Sequence, residues 1–195
     1  MIHKWLKKIR LLRAKLFPKH SKNTTVSATK QLAQQTEQLG KEIEKKIDIH
    51  QKNIKHMITS RWYTEQDFQN ANPSCSLQDM RQSSVDKLDA MCDITGQKER
   101  ITCAYRSHRH DTSRGRPGTS AHIPRDADGN VVTDENQRGA GSMAFDIATP
   151  DSRARMRVMK GAIGAGFNRI GVNLASNFYH LDDSEYHDQE VLFTY

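Results

Sequence analysis

The stretch "NFYHLDD", residues 177–183, places an imidazole and a carboxylate two residues apart among apolar side chains. Side chains alternate between the two faces of a strand, so this pattern predicts a strand with His180 and Asp182 on one face and Tyr179 and Leu181 on the other. A polar face of this kind belongs either to a solvated edge strand or to a reactive site.

Two further side chains could join His180 in such a site. "SMAFDIA" alternates in the same way and places Asp146 on the polar face of a second strand, and His122 follows a Gly/Pro-containing loop in "GTSAH". Two imidazoles and a carboxylate are a suitable ligand set for a catalytic zinc ion whose fourth position is left open. Such an ion lowers the pKa of a bound water from about 16 to about 7. "SHRHD" offers a rival histidine pair, His108 and His110.

The charge of the chain is concentrated at its N-terminal end. Of the 30 Lys and Arg residues in the 195-residue chain, nine lie in residues 1–30, which contain no Asp or Glu. Residues 31–195 therefore hold 21 basic and 23 acidic residues, and the net charge of +7 does not indicate a basic surface over the whole protein. Three cysteines without C-x-x-C spacing argue against a disulfide framework and a cysteine-rich zinc cluster.

Residues 2–17, "IHKWLKKIRLLRAKLF", have a helical apolar stripe that includes Trp5, with Lys and Arg on the other side. This pattern favours binding to an anionic membrane surface; the alternatives are a helix that docks on a partner chain and a segment that is disordered when free. No aromatic platform accompanies the charge, so nucleic acid is not an expected partner. The segment lacks the apolar core and cleavage site of a signal peptide, and no apolar run reaches 18 residues.

The composition predicts three segments. Residues 1–30 form a basic amphipathic tail with a linker, and residues 31–60 form a polar spacer helix or coiled coil that could self-associate through residues 31–58. Residues 61–195 form the globular domain.

The elements of residues 61–195 follow the order helix, strand, long loop, strand, helix and strands, which predicts an α+β fold with a small antiparallel sheet and flanking helices. Ser76 and Thr149 are the predicted N-caps of the two main helices, and Gly96 is the predicted end of the first. The sequence "DADGN" predicts a turn between the two strands of a hairpin.

Several short motifs in residues 61–195 occur together in one known family. In order they are "CAYRS", "GRPGTSAH", "MAFDI", "GFNRIGV", "FYHLDD" and "EVLFTY". The set resembles the VanY-like D-alanyl-D-alanine carboxypeptidase family of zinc peptidases, which shares its core with phage endolysin peptidases and the hedgehog signalling domain. The order is most similar to that in short peptidases of small phages.

The resemblance implies a ligand set and some supporting residues. The family pattern S-x-H-x-x-G-x-A-x-D followed by H-x-D or H-x-H maps onto Ser120, His122, Asp146 and His180, so the implied zinc ligands are the last three. The family usually has six residues between the first His and the Asp, whereas this chain has 23. Most of that stretch is expected to be an insertion, and Asp128 within it is an alternative to Asp146.

The resemblance also implies catalytic roles. Arg106 in "YRS" resembles a stabiliser of the reacting carbonyl, with a structural ion pair as the alternative. Ser120 would bind substrate or brace His122. Family members often carry an acidic residue three positions before the last His, where this chain has Asn177.

Because an amide cannot act as a base, the proton acceptor has to be sought elsewhere. Asp182 could orient His180 or take the proton of the attacking water. Asp183 and Glu185 are alternatives, and loss of activity is a third.

The resulting hypothesis is a phage or prophage zinc peptidase that degrades the cell wall by cutting D-Ala-D-Ala or L-Ala-D-Glu bonds of peptidoglycan stem peptides. It would be made in the host cytoplasm and act at the bacterial envelope, either free or attached to the virion. The alternatives are a zinc-binding module without activity and a membrane- or virion-attached structural protein.

Overall fold

The computed structural model describes residues 34–48, 57–134, 137 and 139–195. The chain divides into two compact units, Met1–His56 and Met57–Tyr195. The described part of the first unit is one helix, α1, over residues 34–48, and all of its residues are exposed. The predicted amphipathic tail, residues 2–17, lies outside the described residues.

The second unit is an α+β domain with a five-stranded sheet, which confirms the predicted fold class. Its helices are α2 (Glu65–Gln69), a 3-10 turn (Leu77–Asp79), α3 (Gln82–Thr95), α4 (His108–Thr112) and α5 (Ser152–Gly164). Its strands are β1 (Ile101–Cys103), β2 (Ala144–Ala148), β3 (Arg169–Asn173), β4 (Phe178–Asp182) and β5 (Val191–Thr194). Among the described helices none is both long and apolar enough to cross a bilayer.

The strand order is β1-β2-β4-β3-β5, and the sheet is mixed. The first three pairings are antiparallel, as predicted, but β5 pairs in parallel with β3. Residues 183–190 connect β4 to β5 and cross β3, which lies between these two strands in the sheet. Strand β5 therefore runs antiparallel to β4 and parallel to β3. The expectation of a purely antiparallel sheet was wrong for this edge.

The core lies between the helices and one face of the sheet. Phe145, Ile147, Tyr179 and Leu181 project from β2 and β4 into this core. Residues of α3 and α5 complete it, among them Val85, Leu88, Met91, Val158 and Ala162. The side chains that alternate with these in β2 and β4, Asp146 and His180 among them, therefore lie on the opposite face of the sheet.

The first main helix begins later than Ser76. Ser76 does act as an N-cap, and the Asp79 carboxylate accepts its backbone N–H, but together they enclose only the 3-10 turn. The backbone then pairs with a distant loop, because Ser142 donates to the Asp79 carbonyl and accepts from Arg81. Helix α3 can therefore start only at Gln82, and it ends at Gly96 with φ 72°, as predicted.

The second main helix is capped by Asp151 and not by Thr149. The Asp151 carboxylate accepts a 2.8 Å hydrogen bond from the backbone N–H of Ala154. Thr149 is buried instead, and its N–H donates to the carbonyl of Asn177 in the turn before β4. The prediction of Thr149 was wrong because Thr149 and Asp151 are both suitable N-cap residues, and the contact of Thr149 with Asn177 leaves the capping position to Asp151.

The predicted helix over residues 31–58 does not reach its expected end. Residues 57–60 are not helical. The side-chain amide of Gln78 accepts from the N–H of Ile58 and donates to its carbonyl, so this backbone is part of the second unit and is held by the 3-10 turn.

Candidate metal centre

The antiparallel pairing of β2 with β4 sets Asp146 directly opposite His180. Both side chains lie on the face away from the apolar core, and the Asp146 Oδ1 atom is 3.0 Å from His180 Nδ1. The sequence pattern predicted this convergence on the condition that the strands were neighbours. The structure meets that condition.

His122 reaches the same point from the loop that precedes β2. Its imidazole is fully buried, and its Nε2 atom is 3.1 Å from both Asp146 Oδ1 and His180 Nδ1. Its backbone is fixed because the Arg106 N–H donates to the His122 carbonyl. The three atoms His122 Nε2, Asp146 Oδ1 and His180 Nδ1 form a nearly equilateral triangle. We call them the donor triad, because each can donate a lone pair to a metal ion.

The long stretch between His122 and Asp146 does not separate them. At its two ends the backbone closes on itself, because the Met143 N–H donates to the Ala121 carbonyl over 3.1 Å. Within it, residues 126–130 form the turn predicted at "DADGN", in which Asp126 donates its backbone N–H to the Asn130 carbonyl. Asp128 is exposed at this turn and takes no part in the donor triad.

The hydrogen bonds of the two imidazoles fix which nitrogens can bind a cation. His122 Nδ1 lies against the Ala104 carbonyl oxygen, which can only accept, so this nitrogen is the donor. His180 Nε2 is 2.7 Å from Asp182 Oδ2 and donates to that carboxylate. In neutral imidazoles the nitrogens of the donor triad therefore carry lone pairs. Three atoms that all present lone pairs to one another, and so can only accept hydrogen bonds, repel unless a cation or a proton lies between them.

The charges around the donor triad agree with this arrangement. Burial lowers the pKa of His122. Burial acts to raise the pKa of Asp146, but the two histidines outweigh it and hold that carboxyl ionised. Burial disfavours the charge on His180, but hydrogen bonds to Asp146 and Asp182 prevail and raise its pKa to about 9. Without a metal ion, a proton on His180 thus supplies the positive charge.

A cysteine that the sequence pattern did not single out lies beside the donor triad. Cys103, His122 and Asp146 form a buried group whose ligand atoms lie within 4.8 Å of one another and can hold a metal ion. The Cys103 Sγ atom is 3.9 Å from His122 Nδ1, the nitrogen that faces Ala104. Burial, together with the Asp146 charge, raises the pKa of the thiol to about 12. The only sequence signal for this contact was the position of Cys103 in a strand.

The three acidic residues considered as proton acceptors all have structural partners. Asp182 is fully buried; in addition to His180, it accepts from Arg169 Nε at 3.1 Å and from the Ser184 N–H. Asp183 accepts from Ser84 and pairs with Lys87. Glu185 pairs with Arg81 at 2.7 Å. Of the two roles considered for Asp182, these contacts favour the orientation of His180.

A cavity of about 480 Å³ opens beside the donor triad, and Asp146, Arg106 and Ser120 are among its lining residues. Arg106 Nη2 donates a 2.8 Å hydrogen bond to Ser120 Oγ, which also accepts from the His122 N–H. Arg106 Nη1 lies 3.5 Å from the carboxylate of Asp111. Arg106 Nε is buried and has no hydrogen-bond partner among the described residues. Both the brace of His122 by Ser120 and the ion pair of Arg106 considered above are present.

The remaining candidates lie apart from the donor triad. His110 lines the cavity, and burial and the neighbouring arginines lower its pKa. His108 is on the same short helix, α4, and neither histidine contributes to the donor triad. Asn177 has φ 54° in the turn before β4, and its side-chain oxygen accepts from Arg155.

Aromatic rings surround His180 on the side of β5. The rings of Phe193 and Tyr195 lie 6.0 and 6.4 Å from the imidazole, and Phe178 lies 5.6 Å from Tyr195. Gly171, opposite His180 on β3, makes room for them, because a Cβ atom there would be 2.7 Å from Phe193. The absence of a side chain at this position thus permits the packing.

No family model matches the chain, and neither a curated protein nor a solved structure gives a significant match.

Proposed function

We propose that the chain is a zinc metallopeptidase that hydrolyses peptidoglycan stem peptides. The observation that carries the proposal is the donor triad, whose three atoms are 3.0–3.1 Å apart. Ligands of a tetrahedral zinc ion with bonds of about 2.0 Å are roughly 3.3 Å apart, so the three atoms need to move apart by only about 0.2–0.3 Å to bind zinc. Histidine and carboxylate ligands with one open position are typical of catalytic zinc.

The partners of the two histidines support a metal site. Asp182 and the Ala104 carbonyl accept the N–H groups that do not face the donor triad, which is the arrangement that fixes the tautomers of metal-binding histidines. Cys103 offers an alternative ligand, but its protonated thiol is a poorer one.

The residues of the cavity support peptide hydrolysis. Zinc, when bound, supplies a Lewis acid and a nucleophilic water at neutral pH. Arg106, held by Ser120 and Asp111, places a permanently charged donor in the same cavity as Asp146, where it can stabilise negative charge on the oxygen of the reacting carbonyl. Asp182 and Arg169 hold His180 in place.

The choice of substrate comes from the motif order. "CAYRS", "GTSAH", "AFDI" and "FYHLDD" resemble, in type and order, motifs of the VanY-like peptidases of the cell wall, and they contain Arg106, His122, Asp146 and His180. We therefore propose action at the bacterial envelope and a phage or prophage origin. The bond cut is either D-Ala-D-Ala or L-Ala-D-Glu.

Metal content and hydrolysis of purified muropeptides test the proposal together. The zinc-reconstituted protein should hold one zinc ion per chain by elemental analysis and cleave muropeptides. The His180→Ala variant should lose most of the metal, whereas His110→Ala, a histidine of the same cavity outside the donor triad, should keep a full equivalent. A full equivalent in His180→Ala would move the site elsewhere, for example to Cys103.

A second candidate, a zinc-binding module without hydrolytic activity, is favoured by two observations. Asn177 occupies the position of the expected base, and the carboxylates of Asp182, Asp183 and Glu185 are all paired with structural partners. One equivalent of zinc without cleavage of any muropeptide would favour this candidate.

A further inference from the structure

The lining of the cavity beside the donor triad is chemically divided. The segment 106–120 contributes three arginines, Arg106, Arg114 and Arg116, whereas β4 and the end of the chain contribute the rings of Phe178 and Tyr195. A substrate that fills the cavity therefore meets guanidinium groups and aromatic surface at different places.

The acidic residues of the lining leave an excess of positive charge. Only two acidic side chains, Asp111 and Asp146, line the cavity among the described residues. Asp146 is occupied by the two histidines. Asp111 is buried, and its Oδ1 atom lies 3.5 Å from Arg106 and 3.3 Å from Arg116. Arg114 has no carboxylate of its own in this lining, so three guanidinium charges face two carboxylates, and a divalent ion would increase the excess.

The loop that carries Arg114 and Arg116 has a defined support. Gly118, with φ 71°, packs so closely on α4 that a Cβ atom would lie 2.6 Å from His108 Nε2 and 2.9 Å from the Thr112 methyl group. The Arg116–Asp111 ion pair ties the same loop to the buried end of this helix. Both arginines are exposed at the cavity and remain accessible to a ligand.

We propose that Arg114 and Arg116 bind a carboxylate of the peptide substrate, next to the reacting carbonyl that the proposed function assigns to Arg106. This inference rests on the proposed function and adds a determinant of specificity to it. Guanidinium groups suit the role because they stay charged and present forked donors to a carboxylate. The pKa of neighbouring His110 agrees with this positive potential, because burial and then the three arginines lower it.

The carboxylate could come from two places in a stem peptide, the C-terminal residue or the free α-carboxylate of a γ-linked glutamate. The two sources share the same chemistry. Matched peptides separate them: one pair differs by a free or amidated C-terminus, and the other by glutamate or isoglutamine at the internal position.

The test uses the zinc-loaded full-length protein and these four peptides. The wild type should prefer the acid to the amide within one pair by about tenfold or more in kcat/KM, the scale of a hydrogen bond to a charged group. In Arg114→Gln, Arg116→Gln and the double variant this acid-to-amide ratio should fall towards one. Arg109→Gln is the matched control, because Arg109 is an exposed arginine of α4 outside the cavity lining, and it should keep the ratio.

Calorimetric binding of the same peptides separates failure of this inference from failure of the proposed function. Acid-selective binding that needs Arg114 and Arg116, without hydrolysis of any peptide, would support the carboxylate site and reject the peptidase. Hydrolysis with equal rates for acid and amide in both pairs would overturn the carboxylate site alone, as would a ratio that persists in the double variant. Arg114→Gln leaves the Asp111 ion pairs in place, so it keeps the test valid if Arg116→Gln fails to fold.

Discussion

Asp146 and His180 face each other across two adjacent antiparallel strands, with Oδ1 of the aspartate 3.0 Å from Nδ1 of the histidine. A pair fixed by strand register needs little rearrangement to accept a cation. The first consequence is a competition between a metal ion and a proton.

Binding of zinc at pH 7 should release about one proton. The pKa of His180 is raised to about 9 in the metal-free chain, so this imidazole is charged at pH 7, whereas the lowered pKa of His122 leaves that ring neutral. Calorimetric titrations in buffers of different ionisation enthalpy measure the number of protons released, which should fall towards zero above about pH 9. Zinc binding at pH 7 without proton release would contradict the charge assigned to His180.

The raised pKa of His180 also predicts how the free energy of unfolding depends on pH. A raised pKa in the folded state stabilises the metal-free protein below the unfolded-state pKa of about 6.5, and this contribution is lost as the pH rises through about 9. The free energy of unfolding of the metal-free protein should therefore fall over this window, as measured by denaturant titration. His180→Gln, which cannot titrate, should show a smaller fall.

Asp182→Asn separates the two roles considered for this residue. If Asp182 orients His180, the change should weaken zinc binding by about 10- to 100-fold, the usual effect of removing such a partner. Competition with a chromogenic chelator measures the affinity. Asp183→Asn is the control, because its partners are Ser84 and Lys87, and it should leave zinc affinity unchanged. Unchanged affinity in Asp182→Asn with turnover reduced by about 100-fold would instead indicate a general base.

Gly171→Ala should displace the aromatic rings at His180. The new Cβ atom would lie 2.7 Å from Phe193 and 2.9 Å from Tyr195, so the rings must move, and the free energy of unfolding should fall by roughly 1–3 kcal/mol. Chemical denaturation measures the change. In a Phe193→Ala background the same substitution should cost clearly less, and equal costs in the two backgrounds would show that the contact with Phe193 is not the cause.

Deletion of residues 1–30 should abolish binding to anionic vesicles while leaving cleavage of soluble muropeptides nearly intact. The nine basic residues of this segment each contribute about 1 kcal/mol near an anionic surface, and the contribution falls as salt rises. Co-sedimentation with anionic and neutral vesicles at low and high salt measures the binding. A full-length protein that ignores anionic vesicles at low salt would favour docking on another protein.

The faces of Asp146 and His180 could be predicted from the sequence because strand alternation is a local property, whereas no local rule placed His122 beside them. The alternation of β2 and β4 determines that Asp146 and His180 lie on the face opposite the buried Tyr179 and Leu181, but their direct pairing also requires the two strands to be neighbours. The pairing of Arg169 with Asp182 and the contact of Cys103 with His122 depend on which strands become neighbours. Alternation within a single strand does not specify its neighbours, and for the same reason the parallel edge formed by β5 was missed.

The hydrogen bond from the Met143 N–H to the Ala121 carbonyl makes the intervening segment a closed loop that begins and ends at one place in the fold. The entropic cost of closing a flexible loop rises by only about 0.6 kcal/mol for each doubling of its length. Its length is therefore nearly free to drift in evolution, and the exposed turn at Asp128 is a suitable place to graft a foreign peptide. The number of residues between His122 and Asp146 is then a poor criterion for relatedness to other proteins, and the pairing of the neighbouring strands is a better one.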